Sequence, residues 1–368
     1  MIYDLRGKLH AHLEITNYCN AACPMCGRNP IMRSDDEKWV MRKGEFCDSH
    51  NLYIDDIANI FDSEFYSNYE LTKVNLCGNK GDPAASPDLF EIVEYFMLRD
   101  KNTRINMATN GGLKTPNYWY RLGETYKKFN NSGQVTFGID GLEDTNHIYR
   151  QNVNFNKVIE NAQAFIEGGG NAGWQYLIFK HNEHQIEEAQ KLSEKLGFKT
   201  FFTIHTPRFH YSQNNDGKKT WIDALGKEWV IETADPNFNK VKEDGLDHIF
   251  TKNEHQEIHC KAKATRGIFI DAEGLLFPCC WLGGSLRLYD TRQVWRELDS
   301  IMGFYDKYEM NVIENSLVKT LQNVWISDVL PDSWEKGGEA LSHTCRKFCS
   351  KNINLYKKKN YADIESKS

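Results

Sequence analysis

Glu14-Ile15-Thr16-Asn17-Tyr18-Cys19-Asn20-Ala21-Ala22-Cys23-Pro24-Met25-Cys26 places three cysteines at spacings of four and three directly after a short apolar-rich run. Thiolates this close in sequence converge only if the loop wraps a common centre, and soft sulfur ligands select iron-sulfur clusters or zinc over hard cations. A [4Fe-4S] cube offers four irons, so three cysteines leave one iron free to take another ligand. The alternative is a structural zinc site completed by His10, His12 or His50.

Outward from this loop, composition bounds the rest. With 368 residues, 40% of them hydrophobic and 12% aromatic, the chain can bury a sizeable core as one large domain and a smaller one. A formal net charge of -6 gives no global attraction to nucleic acid or anionic membrane, so neither is expected as a partner. No apolar run reaches transmembrane length, and the opening residues lack the apolar core of a signal peptide, which places the protein in the cytoplasm. Ten cysteines in such a chain argue for metal rather than a disulfide framework, because cytosolic thiols are kept reduced. Three fall at 19 to 26 and five in the C-terminal third, and only Cys47 and Cys77 stand alone.

From Lys8 to His205 short apolar runs alternate with longer helical patterns, as in successive βα units on a parallel sheet. Strands are expected at His12 to Ile15, Lys73 to Cys77, Arg104 to Ala108, Gln134 to Ile139, Trp174 to Phe179 and Thr200 to Ile204. Helices are expected at Asp55 to Phe61, Pro87 to Arg99, Pro116 to Phe129, Asn156 to Glu167 and Glu183 to Leu196, the last stopped by Gly197. Six such units predict an α/β fold, a partial (βα)6 TIM-like barrel open on one side, with function at the carboxyl ends of its strands. The polar stretch from Gly27 to Ser49 reads as a solvated loop, with a lid as the alternative.

Several strand ends carry turn chemistry. Gly78-Asn79-Lys80-Gly81-Asp82-Pro83 holds two glycines that let a ligand approach the backbone; Thr109-Asn110-Gly111-Gly112 and Gly138-Ile139-Asp140-Gly141 follow two later strands. Arg150 follows Asp140 at a distance that could return a guanidinium to the carboxylate. Residues 206–258 break the rhythm and read as a bridge, whose Phe209, His210, Tyr211 and Trp221 either line a cavity or form a small packing cluster. A second cysteine constellation follows. Gly267 to Phe277 reads as a β-hairpin turning at Ala272-Glu273-Gly274, which brings Cys260 and Cys279 together, and Cys345 and Cys349, one helical turn apart, could complete a set of four. Cys280, adjacent to Cys279, should face away from that set if the segment is extended. Structural zinc is again the alternative.

The Cys-x3-Cys-x2-Cys loop resembles the radical S-adenosylmethionine (radical SAM) superfamily, in which the open iron binds the amino and carboxylate groups of SAM and a reduced cluster triggers hydrogen abstraction from a substrate. On that resemblance Cys19, Cys23 and Cys26 hold the [4Fe-4S] cluster, and Met25 takes the place of the residue near the adenine. Gly78, Lys80, Gly81, Asp82 and Pro83 are similar to the family's Gly-Gly-Glu-Pro motif, with Lys80 for a glycine and Asp82 for the glutamate. Asn110, Asp140, Arg150 and Lys180 are similar to its other SAM-pocket residues, with Asn182 a weaker candidate and His181 and His184 expected at the surface. Cys260, Gly274 and Cys279 resemble the opening of the SPASM/twitch extension, whose closing pair is usually Cys-x2-Cys rather than Cys345-x3-Cys349. This implies one auxiliary [4Fe-4S] cluster on Cys260, Cys279, Cys345 and Cys349. The expected organisation is a barrel at 8–205, a bridge at 206–258, the auxiliary domain at 259–350 and a frayed tail at 351–368. The implied partners are an external one-electron reductant such as flavodoxin or ferredoxin and a substrate. Maturation of a ribosomally made peptide is the first expectation, since many SPASM/twitch proteins do this; dehydrogenation or other radical modification of a small alcohol or sugar is the alternative, kept close because there is no room before Cys19 for the peptide-binding domain many peptide maturases carry. A non-catalytic iron-sulfur or zinc scaffold would explain the cysteines but not the glycine-rich strand ends.

Overall fold

The computed structural model describes residues 3, 6–29, 31–33, 38–41, 49–205, 217–223, 226–235, 257–284, 300–337, 341–350 and 358–360. Cys47, Phe209, His210, Tyr211, most of the bridge and most of the tail lie outside the described residues. In chain order come β1 (Lys8–Leu13), β2 (Ile31–Arg33), β3 (Trp39–Met41), α1 (Ile54–Ile60), α2 (Ser63–Asn68), β4 (Glu70–Leu76) and α3 (Leu89–Arg99). Then follow β5 (Arg104–Thr109), α4 (Pro116–Lys128), β6 (Val135–Gly138), α5 (Asn146–Tyr149), α6 (Phe155–Glu167), β7 (Ala172–Ile178), α7 (Ile186–Lys195) and β8 (Thr200–His205). The remaining strands are β9 (Lys218–Ile222), β10 (Glu228–Glu232), β11 (Gly267–Ile270), β12 (Leu276–Phe277) and β13 (Lys358–Asn360).

The expected alternation is present. Strands β1, β4, β5, β6, β7 and β8 lie side by side in that order, each parallel to the next. Parallel neighbours need crossover helices, and the sequence supplies them with local start and stop signals. Thr115 accepts from the backbone N of Tyr118 at the start of α4, with Pro116 at its first position, and Asn154 accepts from Lys157 N at the start of α6. The chain after α7 turns at Gly197 with φ +85°. Ala108, Thr136, Gly138, Gln175, Leu177 and Ile204, from the four strands β5 to β8, line one cavity. The sheet is therefore curved into a trough, and the architecture is the partial, open barrel.

Opposite-facing residues pack under the helices. Trp119 and Trp174 are fully buried, and each indole N–H has a backbone acceptor, Leu113 O at 3.0 Å and Ile139 O at 2.9 Å. Trp174 meets Phe198 and Phe201 at ring-centroid distances of 5.4 and 5.9 Å.

Three features depart from the expectation. The hairpin β11–β12 does not stand apart: β11 runs parallel to β1, pairing Leu13 with Ile270, so the C-terminal region extends the barrel sheet at the β1 edge. The stretch after the cysteine loop is more than a solvated loop, because β2 and β3 join β9 and β10 in a second sheet of order β10-β9-β3-β2. Its hairpin β9–β10 stacks Trp221 on Trp229 at 6.3 Å, so Trp221, 1% exposed, is packing in that sheet. In the tail, β13 pairs antiparallel with β8, whose outer edge would otherwise present unpaired backbone groups.

Trp174→Ala is expected to cost about 3–5 kcal/mol, because it empties a packed position and removes the donor to Ile139 O. Urea unfolding should show a lower midpoint at an unchanged m-value.

Candidate functional site

All the parallel strands point their carboxyl ends at one rim, and the cysteine loop leaves β1 there. Cys19, Cys23 and Cys26 line a cavity of about 300 Å³ together with Gly78, Lys80, Gly81, Asp82, Asn110 and Arg150. Ligand cavities are commonly this size or larger. A larger groove of about 970 Å³ lies elsewhere, between Phe90, Tyr118, Arg121 and Glu124 on the helical side, and contains no cysteine.

The loop after β4 is locked against the cysteine loop. Asp82 N donates to Tyr18 O at 2.7 Å, and Gly81 lies so close that a Cβ there would sit 1.7 Å from Thr16 O. Glu14, 4% exposed, accepts from Lys80 N at 2.7 Å and Gly81 N at 3.0 Å through one carboxylate oxygen. Asp82 is equally buried and joins this loop to the end of β5: it accepts from Ala84 N, Thr109 Oγ1 and Asn110 N at 3.0, 2.8 and 2.6 Å. Three of its roughly four lone-pair directions are thus committed to the protein. Pro83 opens the short helical turn that follows and is buried behind the cavity wall.

Asn110 reaches back to the cysteines. Its Nδ2 donates to Asn20 Oδ1 at 2.9 Å and lies 3.5 Å from Cys19 Sγ. On the other side Arg150 Nη1 lies 3.9 Å from Cys23 Sγ, while its Nε donates to Asp140 at 2.6 Å. Asp140 also accepts from Leu177 N at 2.6 Å, and Asn182, fully buried, donates to Asp140 O and Leu177 O. Burial works against the Arg150 cation, but the Asp140 carboxylate, with Cys23 and Tyr149 adding to it, more than reverses this and holds the guanidinium protonated. Burial, with Asp82 second, pushes the Cys19 thiol up to about 12; burial pushes Cys23 up to about 11, with Arg150 opposing. Metal binding at such thiols must release their protons.

Not every expected residue joins the cavity. Lys180 is exposed and ion-paired with Glu183 at 2.5 Å. Met25 is half-buried at φ +64°, a conformation a non-glycine residue rarely adopts, and is not among the residues lining the cavity. Neither are His10, His12 and His50; His12 is buried with Nε2 2.6 Å from Cys77 O, and burial pushes its imidazole down to about 4. Sequence reasoning missed Glu14 and Thr109. The available signal for Glu14 was an acid standing between the end of an alternating strand and the mouth of a cysteine loop.

A second, smaller pocket is lined by Cys260, Cys279, Cys345 and Cys349, with Ala262, Pro278, Leu330, Trp334 and Phe348 among its walls. Cys345 and Cys349 lie one turn apart on the helix His343–Cys349, and Cys260 caps the helix Lys261–Thr265, accepting from Lys263 N at 3.4 Å. Cys280 is not among the lining residues. Residues 280–284 are helical, so strand alternation is not what separates the two neighbours. Instead Cys280 turns toward the first cavity, where its carbonyl accepts from Asn79 Nδ2 at 2.8 Å. Soft donors line both pockets, Cys19, Cys23, Cys26 and Cys77 in one and Cys260, Cys279, Cys345 and Cys349 in the other, and thiols are the donor type that suits iron-sulfur clusters.

The radical SAM superfamily profile matches residues 13–193. Residues 13–193 therefore match a radical SAM domain, and that stretch contains every residue lining the first cavity except Ile204. No curated protein matches the chain significantly. Among solved structures, SuiB of Streptococcus suis is similar over 89% of this chain and 66% of its own, at 14% identity and TM-score 0.50. SuiB bound to the precursor peptide SuiA is similar over 87% of this chain and 64% of its own, at 14% identity and TM-score 0.50. The chain thus spans just under two thirds of the length of those SuiB chains. The structure of anSMEcpe with bound AdoMet and Cp18Cys peptide is similar over 93% of this chain and 89% of its own, at 13% identity and TM-score 0.50. These likenesses concern the fold, and they extend beyond the barrel into the C-terminal region. Among the described residues, no helix is long and apolar enough to cross a membrane.

Gly81→Ala is expected to cost about 1–3 kcal/mol, because the new methyl meets backbone at Thr16 rather than a side chain that can swing away. A urea midpoint equal to that of the unaltered protein would show that the two loops are not locked together as described.

Proposed function

We propose that this chain is an enzyme that holds a [4Fe-4S] cluster on Cys19, Cys23 and Cys26, binds SAM beside it, and takes a hydrogen atom from a peptide substrate in the maturation of a ribosomally made peptide. The observation that carries the reading is the single cavity shared by the three cysteines and the strand-end residues Gly78, Lys80, Gly81, Asp82, Asn110 and Arg150. A scaffold that only stored a metal would have no use for the strand ends. When bound, the reduced cluster and SAM supply the one-electron chemistry that ends in hydrogen-atom abstraction.

The chain's own groups orient and insulate. Glu14 and Asp82 fix the backbone of the loop from Gly78 to Pro83, which leaves its remaining polar groups directed at the cofactor without reorganisation. Asn110 and Arg150 steady Cys19 and Cys23 from opposite sides, and the guanidinium offsets thiolate charge. Leu177 and Ile204 give the far wall an apolar lining that excludes water. Cys260, Cys279, Cys345 and Cys349 hold an auxiliary [4Fe-4S] cluster, fully ligated and so suited to passing an electron or bracing the fold rather than to binding substrate. A peptide substrate is supported by SuiB, solved with a precursor peptide, and by anSMEcpe, solved with a peptide and AdoMet. An external donor such as flavodoxin or ferredoxin supplies the electron.

Anaerobically reconstituted protein should hold about eight irons per chain. Cys23→Ala should abolish reductive SAM cleavage, whereas Cys345→Ala should retain it. Cleavage persisting in Cys23→Ala would remove the first loop from the mechanism, and stoichiometric zinc in place of iron would overturn the reading as a whole.

A further inference from the structure

One polar group at the four-cysteine pocket has no partner. Trp334 lines that pocket, and its indole Nε1 is shielded from solvent with no acceptor in hydrogen-bond reach among the described residues, the four cysteine sulfurs included. Leaving such a donor unmade costs the full desolvation of the N–H, and phenylalanine would line the same wall without that cost. The indoles of Trp119, Trp174 and Trp325 each donate to a backbone carbonyl at 2.9 to 3.0 Å, whereas Trp221, which lines neither cysteine pocket, shares with Trp334 an indole N–H that no described group accepts. Apart from Thr344 and the thiols, the walls are the apolar or aromatic side chains of Ala262, Pro278, Trp281, Leu282, Leu330, Trp334 and Phe348.

The acceptor must then arrive with the pocket's occupant. A zinc ion bound by four thiolates brings no acceptor of its own, and the thiolates are out of reach of Nε1. An iron-sulfur cluster brings inorganic sulfides, which accept hydrogen bonds and whose hydrogen bonding sets the reduction potential. We propose that Trp334 donates its indole N–H to a sulfide of the auxiliary cluster and so raises that cluster's reduction potential, since the added electron makes the sulfide a better acceptor. The inference rests on the auxiliary-cluster reading above. Trp334 touches neither SAM nor substrate in this account; it is a positioning and tuning residue.

The test uses the full chain in a Cys19→Ala, Cys23→Ala, Cys26→Ala background, so that only the auxiliary cluster remains, and compares it with the same protein carrying Trp334→Phe. Both should hold about four irons per chain. In a potentiometric titration followed by electron paramagnetic resonance, Trp334→Phe should shift the equilibrium toward the oxidised cluster by about tenfold, or 59 mV for one electron. In protein labelled with 15N-tryptophan, the reduced cluster should show a hyperfine coupling to an indole nitrogen and to its exchangeable proton, both lost in Trp334→Phe. An unchanged potential with no such coupling would overturn the role of Trp334 while leaving the cluster in place. If Trp334→Phe fails to hold iron, the coupling in the protein that keeps Trp334 decides: its presence supports the hydrogen bond and its absence overturns it. A background protein that binds zinc and no iron would instead overturn the auxiliary cluster itself.

Discussion

The carboxylate of Glu14, almost wholly out of water at the end of β1, receives the backbone N–H groups of Lys80 and Gly81. A buried acid is tolerated only where hydrogen bonds replace its lost hydration. Here those donors belong to the loop that follows the next parallel strand. The bond therefore ties the base of the cysteine loop to the loop after β4, and Asp82 repeats the device one strand further on by tying that loop to the end of β5. Asp140 and Arg150 do the same between the ends of β6 and β7 and the cysteine loop. The rim is a chain of buried carboxylates, each spent on a neighbour, and a cofactor bound there meets groups already in place.

The same constraint joins the two cysteine sets. Because β11 pairs with β1 in the barrel sheet, the chain after it arrives beside the cysteine loop rather than in a detached module. Cys279 and Cys280 then split their duties: one lines the second pocket, and the carbonyl of the other holds Asn79 at the first. A single peptide unit thus lies between the two cavities, so a change at either is felt through covalent structure and one hydrogen bond.

The barrel was legible because its evidence is local. Apolar runs, caps such as Thr115 and Asn154, and the Gly197 stop are written within each βα unit, and the six strands appear where periodicity puts them to within a few residues. The cysteine sets were legible from residue type and spacing alone. What stayed hidden depends on partners distant in sequence. Strands β2 and β3 have three residues each, too short for a period, and exist through pairing with residues nearly two hundred positions away. Glu14 carries no sign of its two donors sixty-six and sixty-seven residues downstream. Lys180, which family resemblance set among the pocket residues, pairs at the surface with Glu183 three residues on, a contact that the resemblance does not encode.

The two cysteine pockets differ in how they meet negative charge. Bringing thiolates into a low-dielectric interior is costly unless something opposes their field. At the first pocket a fixed cation does so: Arg150 stands beside Cys23, kept protonated by Asp140, which in turn takes up part of its charge. At the second, no charged side chain is among the described lining residues. Opposition there comes first from dipoles, Lys263 N–H at Cys260 Sγ, with the Lys263 cation outside the pocket a smaller contribution, and burial pushes the Cys260 and Cys279 thiols upward. Thiolate charge at the first cavity keeps its fixed cation when water enters. Thiolate charge in the second pocket depends on each N–H that reaches it and on the apolar shell staying closed. The open-mouthed first cavity and the enclosed second one are each built to match.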